Sequence, residues 1–287
     1  MIEKKFSALD AFIYTALTVI GFVCVFPFWF VFVISTSSAE TYMNDRLHFW
    51  PLVLDFSEYY RVVFHSGVPQ AFMISMIVTV AGTVLALLLT IPCGYALSRP
   101  QFHPRKVLSA MVVFTMLFSG GMIPFYIVVT RLRLQNTLWA LFLPMACSAY
   151  YLILSKNFMT TIPTSLEESA KLDGASDILV FVRIITPLSK PLIAAMALFY
   201  GVSIYNNYFN AVLFMTNRDL YPLQMLLREM IVANTMRSEL SGGGAMTQKA
   251  EIFKMATIVV SMIPILCVYP FLQKHFVRGL MLGSVKE

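Results

Sequence analysis

Apolar residues in this chain do not alternate with polar ones; they gather into six long runs separated by polar and charged connections. The runs cover residues 11–34, 70–97, 107–130, 137–155, 192–215 and 255–273, and none contains Asp, Glu, Lys, Arg or His. A hydrocarbon core of about 30 Å takes roughly 20 helical residues at about 1.5 Å each. Each run is therefore predicted to cross a membrane as a helix, which makes the chain an all-α, six-span membrane protein.

Composition agrees with this pattern. Hydrophobic residues make up 58% of the 287 residues and charged ones 13%, against about 25% charged in ordinary soluble domains. The four cysteines, Cys24, Cys93, Cys147 and Cys267, lie singly inside apolar runs, without the close pairing of a metal site or disulfide framework. The net charge of +6 is scattered between the runs, a distribution that fits membrane topology and not a nucleic-acid surface.

The first run follows Lys4 and Lys5, as a secretory signal would. It exceeds the apolar stretch of about 7 to 15 residues usual in such signals, so it is expected to remain as an uncleaved first span; cleavage near the small residues Ser35 to Ala39 is the alternative. Twelve of the 21 Lys and Arg residues fall in the two termini and in the second-to-third and fourth-to-fifth connections. The short-loop bias predicts that both termini are cytoplasmic. Three parts follow: residues 1–69 with the first span and an outer loop; a core of residues 70–276; and a cytoplasmic tail of residues 277–287. Within the core, the connection 156–191 would be cytoplasmic and 216–254 would face outward.

In the cytoplasmic connection, residues 163–174 read as a short helix marked at both ends. Ser165 and Glu168 have capping-box spacing, and Gly174 suits a left-handed C-terminal cap. A second short helix is expected from Ser176 to just before Pro187. Two helical turns are marginal alone in water, so the first helix must dock, either on its own membrane helices or on another protein.

The residues in this connection also form a spaced pattern: Glu168-Ser169-Ala170, three residues, Gly174, nine residues, Ile184, one residue, Thr186-Pro187. The pattern resembles the EAA loop of ATP-binding-cassette (ABC) importer permeases, with Ser169 in place of the first Ala of its Glu-Ala-Ala and Thr186 in place of a Leu. The tail from Phe276 to Lys286 and the run Leu220-Tyr221-Pro222-Leu223-Gln224 look like carbohydrate-uptake permeases related to the second permease of the maltose transporter, in the branch associated with oligosaccharides, including uronate-containing ones. The resemblance implies the transmembrane domain of a type I ABC importer, in which this loop is a coupling helix seated in the ATPase. Carried over, Glu168, Ser169, Ala170, Asp173, Gly174 and Ala175 would lie at that contact, and the C-terminal tail would reach the same interface.

Near the end of the fifth run, Tyr205-Asn206-Asn207-Tyr208-Phe209-Asn210 clusters three amides and three rings. Helical spacing would set Asn206 and Asn210 one turn apart on a common face. Amides and hydroxylated rings suit the lining of a sugar pathway, and interhelical Asn bonds suit plain helix association equally well. Pro124 with Gly120 and Gly121, and Pro92 with Gly94, would loosen their helices or admit close packing. Outside, residues 224–236 can lie along the interface as an amphipathic segment. Gly242, Gly243 and Gly244 then form a flexible loop, at the place where maltose-type permeases reach into the solute-binding protein.

Ion-coupled carriers keep ionisable groups within their spans, and these six runs have none, so a secondary transporter or channel is the weaker alternative. The chain lacks G-x-x-x-x-G-K-[ST], H-E-x-x-H and G-x-S-x-G motifs, and its four histidines are dispersed. No catalytic, metal or cofactor site is expected on it. The implied assembly is a multi-pass cell-membrane complex with a homologous second permease, two ABC ATPase subunits holding ATP and Mg, an extracellular solute-binding protein, membrane lipid and a carbohydrate substrate.

Overall fold

The computed structural model describes residues 8–44, 49–50, 53–64, 67–241 and 245–284. The helices are α1 (Ala8–Ser35), α2 (Ala39–Asn44), α3 (Ser57–Phe64), α4 (Val68–Ser98), α5 (Arg105–Leu117), α6 (Met122–Arg131), α7 (Trp139–Phe142), α8 (Ala149–Thr160), α9 (Ser165–Leu172), α10 (Asp177–Val180), α11 (Thr186–Leu188), α12 (Lys190–Tyr205), α13 (Phe209–Phe214), α14 (Leu223–Ser241) and α15 (Ala245–Ser284). Among the described residues the only isolated β pairing is an antiparallel bridge between Ser37 and Leu54. Three unbroken stretches, Leu9–Ser35, Val68–Ser98 and Gln248–Cys267, have the length and apolarity to cross a membrane, as do three bent helix pairs if each is one span.

The chain forms two units. The first comprises Met1–Pro69 and Leu227–Ile263. Here α1 is apolar beyond Asp10 in its first turn, and its Thr15 and Thr18 hydroxyls donate to the carbonyls of Ala11 and Tyr14 at 2.8 Å, satisfying themselves within the helix. Beyond its end, the Asp55 amide donates to the Thr36 carbonyl at 2.8 Å, and the hydroxyls of Ser35 and Tyr59 share a 2.7 Å hydrogen bond. The Arg61 guanidinium lies over the Phe253 ring, 5.1 Å from its centroid, fastening α3 to α15.

The second unit comprises Gln70–Leu226 and Pro264–Glu287. On α12, Leu192, Met196, Tyr200 and Ile204 recur at fourfold spacing and are all buried, one stripe of a helix. They pack with buried residues of α4, α7, α8 and α13 into a single core. In lipid such packing is driven by close van der Waals fit and by interhelical hydrogen bonds. Both are present: the Tyr200 hydroxyl pairs with Thr90 of α4 at 2.7 Å and accepts from the Ser148 amide at 3.2 Å. Pro92 stays inside an unbroken α4.

Three of the six runs are not straight. The fourth, Trp139–Met145 with Ala149–Thr160, bends by 46° at the turn that Ser148 caps. The third, expected as one helix over 107–130, is broken between Arg105–Leu117 and Met122–Arg131 with a 116° change of direction. Its breaker is the Ser119-Gly120-Gly121 step: Gly121 has φ +84, which costs an L-residue side chain but not glycine, and its amide bonds the Ser119 hydroxyl at 3.2 Å. The fifth, expected as one helix over 192–215, stops at Tyr205 and restarts as α13. It is α10–α11 and α12 that form the third bent pair, at 78°.

Candidate functional site

The chain leaves α8 through Pro163 and enters α9, whose first backbone donors are taken locally: the Glu167 and Glu168 amides both bond the Thr164 carbonyl at 3.0 Å. Thr164 is the N-cap, with helical φ −66 and ψ −23, and makes no side-chain cap bond. The expected Ser165–Glu168 box therefore does not form; an N-cap residue already in helical geometry supplies its carbonyl instead of its hydroxyl. The other end is as expected. Gly174 has φ +85, and the Gly174 and Ala175 amides return to the Lys171 and Ala170 carbonyls at 3.0 and 2.9 Å, a complete Schellman closure.

Ser176 caps α10 through its hydroxyl, which accepts from the Leu179 amide. The second helix does not end before Pro187. A π turn over Phe181–Ile185 carries the chain into α11, with the Thr186 amide bonded to the Phe181 carbonyl. The wider turn makes room for the proline ring and for the carbonyl left without an amide partner. Lys171 and Asp177 form an exposed 2.6 Å ion pair across the turn, and Asp177 raises the Lys171 ammonium above its usual pKa through this hydrogen bond and its charge.

The loop has two faces. Glu168, Ser169, Asp173 and Gly174 are exposed, and Leu172 and Ile178 project with 90% and 77% of their surface free. Ala170 and Ala175 instead pack, half-buried, against the core of the second unit. Sequence reasoning missed the residue that anchors the inner face. Glu167 is only 5% exposed and Arg99, one residue beyond α4, only 6%; their side chains form a buried ion pair. The Tyr95 hydroxyl donates to the second Glu167 oxygen at 3.1 Å, and Arg99 Nη1 donates to the Met159 carbonyl at 3.0 Å. The guanidinium also lies 4.9 Å from the Tyr95 ring centroid. One signal was available: Glu167 is three residues before Ala170, hence on the same helix face.

The amide cluster is divided by the break after Tyr205. Asn206 and Asn210 do not share a helical face, because the Asn207 carboxamide oxygen accepts the Asn210 amide at 3.1 Å and diverts the backbone from the helix. Asn210 is buried and donates to the Leu141 carbonyl at 3.3 Å; the Asn207 amide nitrogen faces the Met145 sulfur. Asn206 and Tyr208 are exposed, Asn206 accepting a long 3.5 Å bond from Gln224. Tyr205 is buried and edges an apolar cavity of about 350 Å³ whose walls include Met76, Thr79, Thr83, Gly201 and Pro264. Among the described residues, no group of His, Cys, Asp or Glu could hold a metal ion. Gly242, Gly243 and Gly244 lie outside the described residues.

No protein-family model matches the chain. It is 41% identical over 279 residues to the polygalacturonan/rhamnogalacturonan transport system permease protein YtcP of Bacillus subtilis (strain 168), covering 96% of this chain and 98% of that one. Protein LplC of the same organism is 40% identical over 272 residues, covering 93% and 91%. Among solved structures, a bacterial ABC transporter involved in the import of the acidic polysaccharide alginate contains a chain that superposes with a TM-score of 0.86 at 31% identity, covering 96% of this chain and 99% of that one. With these relatives matched along nearly their whole lengths, the chain belongs to the carbohydrate-uptake ABC transporter permeases.

Proposed function

We propose that this permease forms half of the pathway through which a uronate-containing oligosaccharide is imported by alternating access, and that α9 is the helix by which ATP hydrolysis drives it. As a member of its family the chain is the non-catalytic membrane subunit of a carbohydrate ABC import system, working with ATPase and other transporter subunits. In our reading those are a homologous second permease, two ATPase subunits holding ATP and Mg, and an extracellular solute-binding protein. Both termini are cytoplasmic, residues 156–191 are the coupling connection, residues 216–254 face outward and residues 277–287 form the inner tail.

The observation that carries the coupling role is the two-faced character of the loop. Its inner face is fixed by Glu167, Ala170 and Ala175, while Leu172, left 90% exposed beside Glu168, Ser169 and Asp173, is an apolar side chain that water does not favour. An ATPase cleft would cover it. The substrate class is supported by two similarities, to a permease named for polygalacturonan and rhamnogalacturonan and to an importer of alginate. Of the amide cluster, Asn206 and Tyr208 are the exposed side chains that would meet a sugar, while Asn207 and Asn210 shape the break that presents them.

Cysteine introduced at Leu172 and cross-linked in native membranes should capture the ATPase in high yield. Capture of lipid or of this chain alone would end the coupling reading. For the substrate, the binding protein of the same system should gain thermal stability with galacturonate oligomers and not with neutral maltodextrins; the reverse order would reject the uronate class.

A further inference from the structure

Four elements of the second unit converge on one buried point. α4 brings Tyr95 and, just past its end, Arg99; α8 brings the Met159 carbonyl; α9 brings Glu167; the π turn brings Phe181, whose ring lies 5.2 Å from that of Tyr95, centroid to centroid. Arg99 is held by a carboxylate, a carbonyl and a ring face at once, and Glu167 by a guanidinium and a phenol. Apolar contacts can slide, whereas a buried charge cannot leave its partner without becoming uncompensated. A site held in this way fixes position and register.

We propose that Arg99 and Glu167 are positioning residues that lock α9 to the inner end of α4, so that the loop helix and this membrane-spanning helix move as one body. The proposal rests on the reading of α9 as the ATPase-docking helix. It adds the route: displacement at the exposed face of α9 passes to α4 through the pair and not only along the chain at either end of the loop. The exposed side chains Leu172 and Asp173 receive the motion, and the buried side chain on the opposite face delivers it.

The test is a distance in the assembled importer. With Cys24, Cys93, Cys147 and Cys267 replaced by Ser, spin labels at Ser169→Cys on α9 and Leu88→Cys on α4 are measured by pulsed electron resonance without nucleotide and after trapping with ATP and vanadate. With Arg99 and Glu167 intact, the distance is narrow and the same in both states. Glu167→Gln broadens it and lets it shift with nucleotide, while Arg99→Lys, which still offers Glu167 a cation, keeps it narrow. A distance that changes between states in the protein with the native pair overturns the proposal, and that comparison needs no variant at either position. A distance unchanged by Glu167→Gln overturns it as well. Cross-linking from Leu172→Cys tells the two ideas apart: if it captures the ATPase and the distances move, only the joint is wrong; if it captures no ATPase, the docking reading is wrong.

Discussion

Gly94 of α4 lies against Ser155 of α8 so closely that a methyl group at residue 94 would come 2.8 Å from the Ser155 Cβ and 3.2 Å from the Lys156 amide nitrogen. Two backbones can approach like this in a membrane only where one helix offers no side chain. The contact brings α8, and the loop that follows it, to the C-terminal end of α4.

Gly94→Ala should therefore push the helices apart and destabilise the protein by about 1 to 3 kcal/mol, the usual penalty for overpacking. Gly201→Ala provides the control. Its new methyl would meet Thr83 Oγ1 at 3.6 Å, an ordinary contact, so its melting temperature in detergent should stay close to that of the parent.

Gly174 gives a different kind of glycine effect. Its φ of +85 should make Gly174→Val cost about 1 to 2 kcal/mol in local strain, opening the Schellman closure. Asn, which tolerates the left-handed region better, should be milder. In the reconstituted complex, stimulation of ATP hydrolysis by the loaded binding protein should fall in the order Gly, Asn, Val; equal stimulation by all three would separate the turn from coupling.

The Tyr200 hydroxyl serves two partners, Thr90 and the Ser148 amide. Tyr200→Phe should cost about 1 to 3 kcal/mol, because it leaves buried polar groups unsatisfied. Adding Thr90→Val should cost less than the sum of the two single changes, since the second removes a group the first had orphaned. Thermal unfolding of the four proteins in the cycle measures this directly.

Asn206 and Asn210 should now separate in behaviour. Asn210→Ala removes a buried bond to the Leu141 carbonyl and should lower stability by about 1 kcal/mol. Asn206→Ala should leave stability unchanged and alter the half-saturation of oligosaccharide uptake. Paired melting and uptake measurements distinguish the two, and an Asn206→Ala protein with native uptake would remove that residue from the pathway.

What the sequence made legible was set by local chemistry. Gly174 was readable because a left-handed helix end favours glycine by sterics alone, and Ser176 because a cap needs only a hydroxyl three residues before a free amide. Arg99 and Glu167 were not: each is an ordinary charge in a connection between spans, and only the third dimension joins the end of α4 to α9. The amide cluster was misread for a related reason. Helical periodicity was carried through Asn206 and Asn207, although an Asn side chain can take a backbone amide from the helix, as Asn207 does. The third run failed at its glycines in the same manner, its apolar length outvoting a Gly-Gly step that breaks it.

That break has a consequence for how the subunit lives in lipid. At about 1.5 Å per residue, the 13 residues of α5 and the 10 of α6 reach about 20 Å and 15 Å, each short of a hydrocarbon core. Between them, Ser119, Gly120 and Gly121 are exposed, and peptide groups set within a hydrocarbon core would find nothing there to bond. A turn of this kind persists only under a roof of protein or beside trapped water, so the bilayer itself favours the company of neighbouring subunits over solitude.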